Sequence, residues 1–427
     1  MIPLDHLSKQ QILQYQEVEM IKLLNYLNTY SPYYIKLFNK HNYDINSFKH
    51  LTDITQIPTT SKYNLQASNW DFLCVDKSKI IEYCTTSGTL GAPVIIGLTE
   101  NDLKRLAYNE CQSFKQIGAT EYDLFQLMVS LDRQFMAGIA YYSGVRQLGA
   151  GIVRVGPGNI ALQFEMIKQL NPTILISVPT FIINLIHFAK ENNINLNDLN
   201  VRKILCIGEN IRDIDFQNNP IASKIIENWN VSLFSTYAST EKQTAFTECA
   251  FQQGGHHLPE LIYFEILDEN ENQLPEKEIG ELTITTFGVE GMPLLRYKTG
   301  DICSFHTDPC PCGKSTFRLS PIIGRKHQMI KYNGTTLFPQ TMFNILNGLD
   351  DVQDYFIELR KSTFNTDDIS IHIATYSLND TIEKKIKSAL QSNLKVLPKI
   401  EFKPISIINK MQSIPGQRKL TKFIDLR

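Results

Sequence analysis

Residues 83–94 read YCTTSGTLGAPV, directly after the apolar run KIIEYC at 79–84. Thr85, Thr86, Ser87 and Thr89 place four hydroxyls within five positions, interleaved with Gly88 and Gly91 and closed by Pro93. Glycines let successive backbone N–H groups turn into one concavity, and the hydroxyls add donors around it. A bend of that composition after a strand suits a polyphosphate; a plain surface turn needs fewer hydroxyls. Two other phosphate motifs fail. A Walker loop needs a glycine five residues before Gly-Lys-Ser/Thr, and Gly313-Lys314-Ser315 has Asp308 there. The half-match Gly156-Pro157-Gly158-Asn159-Ile160-Ala161 to a dinucleotide fingerprint is stiffened by Pro157 and lacks an acidic ribose partner about 20 positions on.

Around the bend the chain alternates. The β-branched runs ILISV (174–178), VRKILCI (201–207) and VSLFSTY (231–237) are separated by helical patterns such as FIINLIHFAKENN. Strands alternating with helices predict an α/β fold with a mostly parallel sheet. Leu13, Met20, Leu24 and Leu27 predict one apolar stripe on an N-terminal helix. After about residue 260 the pattern changes. IYFEILDENENQLPEKEIGELTITTF reads as strand, acidic turn, strand, an antiparallel β-rich part. From Gly324 onward come a β-rich stretch (DDISIHIATYS) and a charged helix (DTIEKKIKSALQSNL). The expected organisation is a large domain over 1–324 and a small, mobile α+β domain over 325–427, hinged near 324–331.

The chain has 427 residues, 43% of them hydrophobic and 20% charged, with net charge −2. That balance argues against a broad electrostatic footprint for nucleic acid or anionic lipid. MIPLDHLSKQQ has no apolar stretch behind a basic head, so no signal peptide is read there. ILISVPTFIINLI, at 174–186, is too short to span a bilayer. Eight cysteines, most of them sitting singly in a long chain, do not make a secreted disulfide framework. The expectation is a cytoplasmic protein that engages neither membrane nor nucleic acid.

The bend resembles the Ser-Ser/Thr-Gly-Thr-Thr-Gly-x-Pro signature of the acyl- and aryl-adenylate-forming superfamily. Four further stretches agree in order. Ile207-Gly208-Glu209-Asn210 is similar to its adenine-flanking segment, Tyr237-Ala238-Ser239-Thr240-Glu241 to its Tyr-Gly-x-Thr-Glu motif, and Arg296-Tyr297-Lys298-Thr299-Gly300-Asp301 to its Arg-Tyr-Arg-Thr-Gly-Asp motif. Gly324-Arg325, with Met329-Ile330-Lys331 and Gly334, is similar to its inter-domain segment. Within the superfamily the likeness is to phenylacetate–coenzyme A ligases. It extends to SPYYIKLFNKHNYDINSF, DITQIPTTSKYNL, Cys-Pro-Cys-Gly and the terminal RKLTKFIDLR, and so covers nearly the whole chain.

The resemblance implies an AMP-forming carboxylate–coenzyme A ligase acting on an aryl acid. ATP and the acid would give an acyl-adenylate and pyrophosphate, and coenzyme A would then take the acyl group. Thr86, Ser87, Gly88, Thr89 and Gly91 would hold phosphates, and Thr240 would donate to the α-phosphate. Glu241 would bind Mg²⁺, a cation that takes oxygen ligands. Gly208, Glu209, Tyr237, Ala238 and Ser239 would border the nucleotide, Asp301 would accept the ribose hydroxyls, and Arg325 would reinforce that grip. Lys419 would be the catalytic lysine. Tyr142 and Ala238 would line the acid pocket, although core packing explains Tyr142 equally well.

Two departures stand out: Ala92 where the family loop carries a lysine, and His327-Gln328 where it carries an acidic pair. A carrier-protein thiol as acceptor, or a homologue that binds nucleotide without catalysis, are the alternatives; a homodimer is open. Cys310-Pro311-Cys312 brings two thiols to one turn, and adjacent strand register would let Cys249 and His256 join them in a tetrahedral, structural zinc site.

Overall fold

The computed structural model describes residues 2–86, 93–332, 335–361, 367–413 and 421–427. Among these, the α/β reading is correct, and the chain divides into two compact units. One is Met1–Gln217 with Ile225–Pro321; the other is Asn218–Lys224 with Ile322–Arg427.

The larger unit is organised on a nine-stranded sheet. Its order is Phe305–His306, Arg318–Leu319, Gly255–His256, Thr244–Glu248, Ser232–Ser239, Lys203–Cys206, Ile174–Ser177, Leu124–Leu127, Gly151–Arg154. The five strands from Ser232–Ser239 to Gly151–Arg154 are parallel. Ile174–Ser177 is buried along its whole length, which is why ILIS is a continuous apolar run rather than an alternating one. Phe114, Phe125, Leu127, Val145, Ile176, Leu205 and Phe234 belong to one cluster that joins this sheet to its helices.

The chain passes from Leu124–Leu127 to the edge strand Gly151–Arg154, then returns past Leu124–Leu127 to Ile174–Ser177. The order therefore reverses between Leu124–Leu127 and Ile174–Ser177. In open α/β sheets, ligands bind outside the carboxyl ends of the strands at such a switch point. Beyond Ser232–Ser239 the sheet turns antiparallel. A second sheet pairs Ile262–Leu267, Gly280–Thr286 and Tyr297–Cys303 antiparallel, with Thr60–Ser61 parallel to the last. This is the predicted strand, acidic turn, strand element.

The N-terminal helix is Lys9–Tyr30, and its buried face starts one residue earlier than the apolar pattern suggests. Ile12, Gln16, Met20, Leu23, Leu24 and Leu27 are buried, whereas Leu13 is 38% exposed. Gln16 donates from Nε2 to the carbonyls of Pro259 and Ile262, so a polar side chain occupies the stripe and disguises its register.

The smaller unit contains a four-stranded sheet in the order Lys399–Phe402, Asp367–Thr375, Val352–Lys361, Phe423–Asp425. The helix Asp380–Leu394 packs on it through Ile386, Leu390 and Leu394.

In the larger unit the helices Glu100–Gln116 and Met136–Leu148 meet closely. A Cβ on Gly144 would stand 2.4 Å from the Glu110 Cβ. Glu110 is fully enclosed there; Asn109 donates to one of its oxygens, and burial pushes its carboxyl up to about 8 from 4.5. The folded chain therefore holds a proton that the unfolded chain releases between those two values, and this group's contribution to stability falls as pH rises through that window. Glu110→Gln is expected to flatten the decline in melting temperature from pH about 5 to about 8. Parallel profiles for the two proteins would show that Glu110 titrates normally.

Candidate active site

Thr86 ties off the base of the glycine-rich bend. Its N–H donates to the Val94 carbonyl at 3.0 Å, its Oγ1 accepts from the Val94 N–H at 3.1 Å, and the Thr85 N–H donates to the Gln134 carbonyl at 3.1 Å. Glu82–Thr85 pairs with Ile95–Leu98, so strand pairing continues up to the mouth of the bend. Ser87, Gly88, Thr89, Gly91 and Ala92 lie outside the described residues, as do Gly334 and Lys419.

The Tyr-Ala-Ser-Thr-Glu stretch ends the last parallel strand and enters a hairpin. Ser232–Ser239 pairs with Thr244–Glu248, Tyr237 opposite Phe246 and Ser239 opposite Thr244. Residues 240–243 form the tip. Ala238 is exposed, Ser239 and Thr240 are half-buried, and Glu241 is buried with its carboxylate 3.5 Å from the Lys62 ammonium. The Tyr237 phenol donates to the Asp301 carboxylate, a contact that joins the main sheet to the strand Tyr297–Cys303 of the second sheet.

A polar stripe on the helix Glu100–Gln116 holds this arrangement. Arg105 is fully buried and donates four times: to the carbonyls of Phe287, Gln243 and Leu261 at 2.7 Å each, and to the Thr244 Oγ1 at 2.9 Å. Burial lowers its guanidinium to about 10. One turn away, Asp102 accepts from the N–H groups of Glu290 and Gly291, and Asn109 accepts from the Ala245 N–H. These residues are the supporting positions that motif reading misses. Their only signal is a set of polar side chains at helical spacing, which ordinarily marks a solvated face.

Glu209 is engaged at the start of a helix. Its carboxylate accepts from the Thr180 N–H at 3.0 Å and the Thr180 hydroxyl at 2.8 Å, capping the helix Pro179–Glu191, whose own N-cap residue Val178 has no side-chain acceptor. Gly208 has φ +74° and open space where a Cβ would be, so the backbone turns there in the left-handed region that favours glycine. Arg296 is structural: it is buried and binds Glu265 through two nitrogens. Tyr142 is half-buried, with the Arg146 and Arg154 guanidinium groups 5.7 and 5.4 Å from its ring; its neighbour Tyr141 is the core residue. Arg325 is exposed, in the smaller unit. The two rejected phosphate motifs have structural roles. Gln163 donates to the carbonyls of Gly156 and Gly158, and Lys314 pairs with Asp5.

Cys249, His256, Cys310 and Cys312 come together with all four ligand atoms within 4.8 Å of one another. Cys249 and Cys310 are 3.6 Å apart at sulfur, and Cys312 Sγ is 3.6 Å from His256 Nε2. A tetrahedral zinc site with bonds of about 2.3 Å to sulfur and about 2.05 Å to nitrogen has edges of about 3.8 and about 3.6 Å. The donor set therefore fits that ion. His256 Nδ1 lies 2.8 Å from the Thr316 hydroxyl, a contact that orients the ring. Burial pushes the Cys249 thiol up to about 12 and the His256 imidazole down to about 3. His257 points away, to the Phe317 carbonyl.

The AMP-binding enzyme family matches residues 42–290. The chain is 25% identical over 379 residues to a phenylacetate-coenzyme A ligase of Thermus thermophilus, covering 87% of this chain and 83% of that one. It is 22% identical over 427 residues to the phenylacetate-coenzyme A ligase of Escherichia coli, covering 98% and 95%. In fold it is similar to a 2-hydroxyisobutyryl-CoA ligase solved with 2-HIB-AMP, with a TM-score of 0.86 at 20% identity over 99% of this chain and 91% of that one. No helix among the described residues is long and apolar enough to cross a membrane.

Arg105→Met leaves several buried acceptors without a donor, at about 1–3 kcal/mol each. It is expected to lower unfolding free energy by about 3–6 kcal/mol in urea titration. A loss below about 1 kcal/mol would show that the clamp is not needed.

Proposed function

The chain belongs to the AMP-binding enzyme family, and from that membership we propose that it is an AMP-forming ligase joining an aryl, phenylacetate-like acid to coenzyme A. The observation that carries this reading is the Tyr237–Asp301 contact beside the 240–243 tip. It sets a phenol, a carboxylate and the Thr240–Glu241 pair at the carboxyl end of a parallel strand, the edge of an open α/β sheet along which ligands bind. The named relatives, both phenylacetate-coenzyme A ligases, support the acid class and the thiol acceptor.

In the first step a carboxylate oxygen of the acid attacks the α-phosphorus of ATP and pyrophosphate leaves. The work for the protein is positioning and neutralising charge. Backbone N–H groups and hydroxyls of 86–91 hold the leaving phosphates, and Thr240 donates to the α-phosphate. Glu241 would hold Mg²⁺, which when bound neutralises phosphate charge; Lys62 would keep that carboxylate paired otherwise. Asp301 accepts the ribose hydroxyls and Arg325 reinforces that grip. Gly208, Glu209, Tyr237, Ala238 and Ser239 border the base, with Glu209 acting by shaping the helix start that it caps. Tyr142 and Ala238 border the acid. Lys419 brings an ammonium to the reacting carboxylate, and the 325–427 domain moves between the half-reactions. In the second step the coenzyme A thiol attacks the mixed anhydride and AMP leaves.

Zinc at Cys249, His256, Cys310 and Cys312 is structural on this reading, since all four positions are filled by protein donors. It would lock the far end of the hairpin strand Thr244–Glu248 whose near end carries the tip.

Pyrophosphate release over a panel of aromatic acids tests the activity. Release that depends on one acid, followed by thioester formation with free coenzyme A, is expected. Thioester formation only on a carrier protein would change the acceptor, and ATP binding without release for any acid would mark a binding protein. Lys419→Ala is expected to abolish adenylation and spare thioester formation from supplied adenylate; equal loss of both would refute its role. Metal analysis of protein purified without added zinc should find one zinc ion per chain, and none in Cys312→Ser.

A further inference from the structure

Lys242 occupies an unusual place for a lysine. It has no exposed surface, and its ammonium lies 3.0 Å from the centre of the Tyr237 ring and 5.7 Å from that of Phe246. Its own N–H donates to the Ser239 hydroxyl, so it sits within the hairpin tip. Carrying a charged ammonium into the interior is costly, and an aromatic face offsets part of that cost through its quadrupole, more so when the cation is desolvated. Lys242, Tyr237 and Asp301 therefore form a chain: the ammonium on one ring face, the phenol at the ring edge, and the carboxylate that accepts the phenol's hydrogen bond. The Cys303 thiol, raised by burial, senses both ends of it, Asp301 and Lys242.

We propose that Lys242 is a positioning residue for the nucleotide, acting through Tyr237. The inference rests on the reading of Tyr237 and Asp301 as nucleotide-binding residues. The ammonium fixes the ring from beneath, so that the phenol stays directed at Asp301 and Asp301 is held for the ribose. Lys242 touches no reacting atom in this arrangement. Its loss should therefore weaken ATP binding and leave the chemical step alone.

The test is a double-mutant cycle on the full chain. Lys242→Met keeps the stem volume and removes the charge, and Tyr237→Phe keeps the ring and removes the phenol. Lys242→Met should raise KM for ATP roughly tenfold with kcat within about twofold. Lys242→Arg should recover most of the loss. In the Tyr237→Phe background the effect of Lys242→Met on KM should shrink to less than about threefold, because the group it orients is gone. A purely structural lysine would instead lower melting temperature equally in both backgrounds and leave KM unchanged.

Equal KM effects in the two backgrounds overturn the proposal, as does an unchanged KM for Lys242→Met. If the Met variant is too unstable to purify, Lys242→Gln carries the same prediction. ATP titration of the unmodified chain separates the two levels of failure. No ATP binding overturns the nucleotide reading and this inference together. Normal binding with an indistinguishable Lys242→Met overturns this inference alone.

Discussion

The arrangement of the site depends on a buried guanidinium. Arg105 reaches from the helix Glu100–Gln116 to the hairpin tip at Gln243 and Thr244, and also to Leu261 and Phe287 at the ends of second-sheet strands. Every one of these partners is a carbonyl or a hydroxyl. Its hydrogen bonds go to oriented dipoles, with the Asp102 and Glu260 carboxylates adding favourable charge nearby, and each dipole belongs to a segment whose position matters. A buried arginine is tolerable only when its donors are satisfied, so the same requirement that makes the residue costly makes the geometry specific.

From that clamp the rest follows by register. Holding residues 243–244 sets the tip, and antiparallel pairing then sets Tyr237 opposite Phe246. The second sheet, held through Leu261 and Phe287, carries Tyr297–Cys303 and hence Asp301. The phenol–carboxylate contact closes a loop of constraints that begins at the arginine. At the other end of Thr244–Glu248, Cys249 meets His256, Cys310 and Cys312, so one short strand has a candidate metal cluster at one end and the tip at the other.

The sheet and the cluster are legible in the residues because local chemistry dictates them. ILIS, short, apolar and bounded by Pro172 and Pro179, reads as a strand covered on both faces, and Cys-Pro-Cys sets two thiols on one turn. The pairing of His256 with Thr247 then brings the imidazole alongside, which needs only a register count. Other features are hidden for a common reason: they pair groups far apart in sequence. Gln16 buries a polar side chain by bonding carbonyls some 240 residues on, and so blurs the apolar stripe of its helix. Arg105, Asp102 and Asn109 read as a wet face and are instead a dry one. Glu209 matches a nucleotide motif by position, while its oxygens also serve the start of a helix. Lys242 looks like any lysine in a turn until the ring beneath it is seen.

All of these constraints converge on Asp301, the carboxylate that Tyr237 contacts and that is proposed to grip the ribose. The decisive experiment is calorimetric titration of AMP against 2′,3′-dideoxy-AMP, on the unmodified chain and on Asp301→Ala. Hydrogen bonds to a charged group are worth about 1.5–3 kcal/mol, so the unmodified chain should prefer AMP by roughly tenfold or more, and Asp301→Ala should bind the two alike. An undiminished preference in Asp301→Ala, or none in the unmodified chain, would show that Asp301 does not hold the sugar.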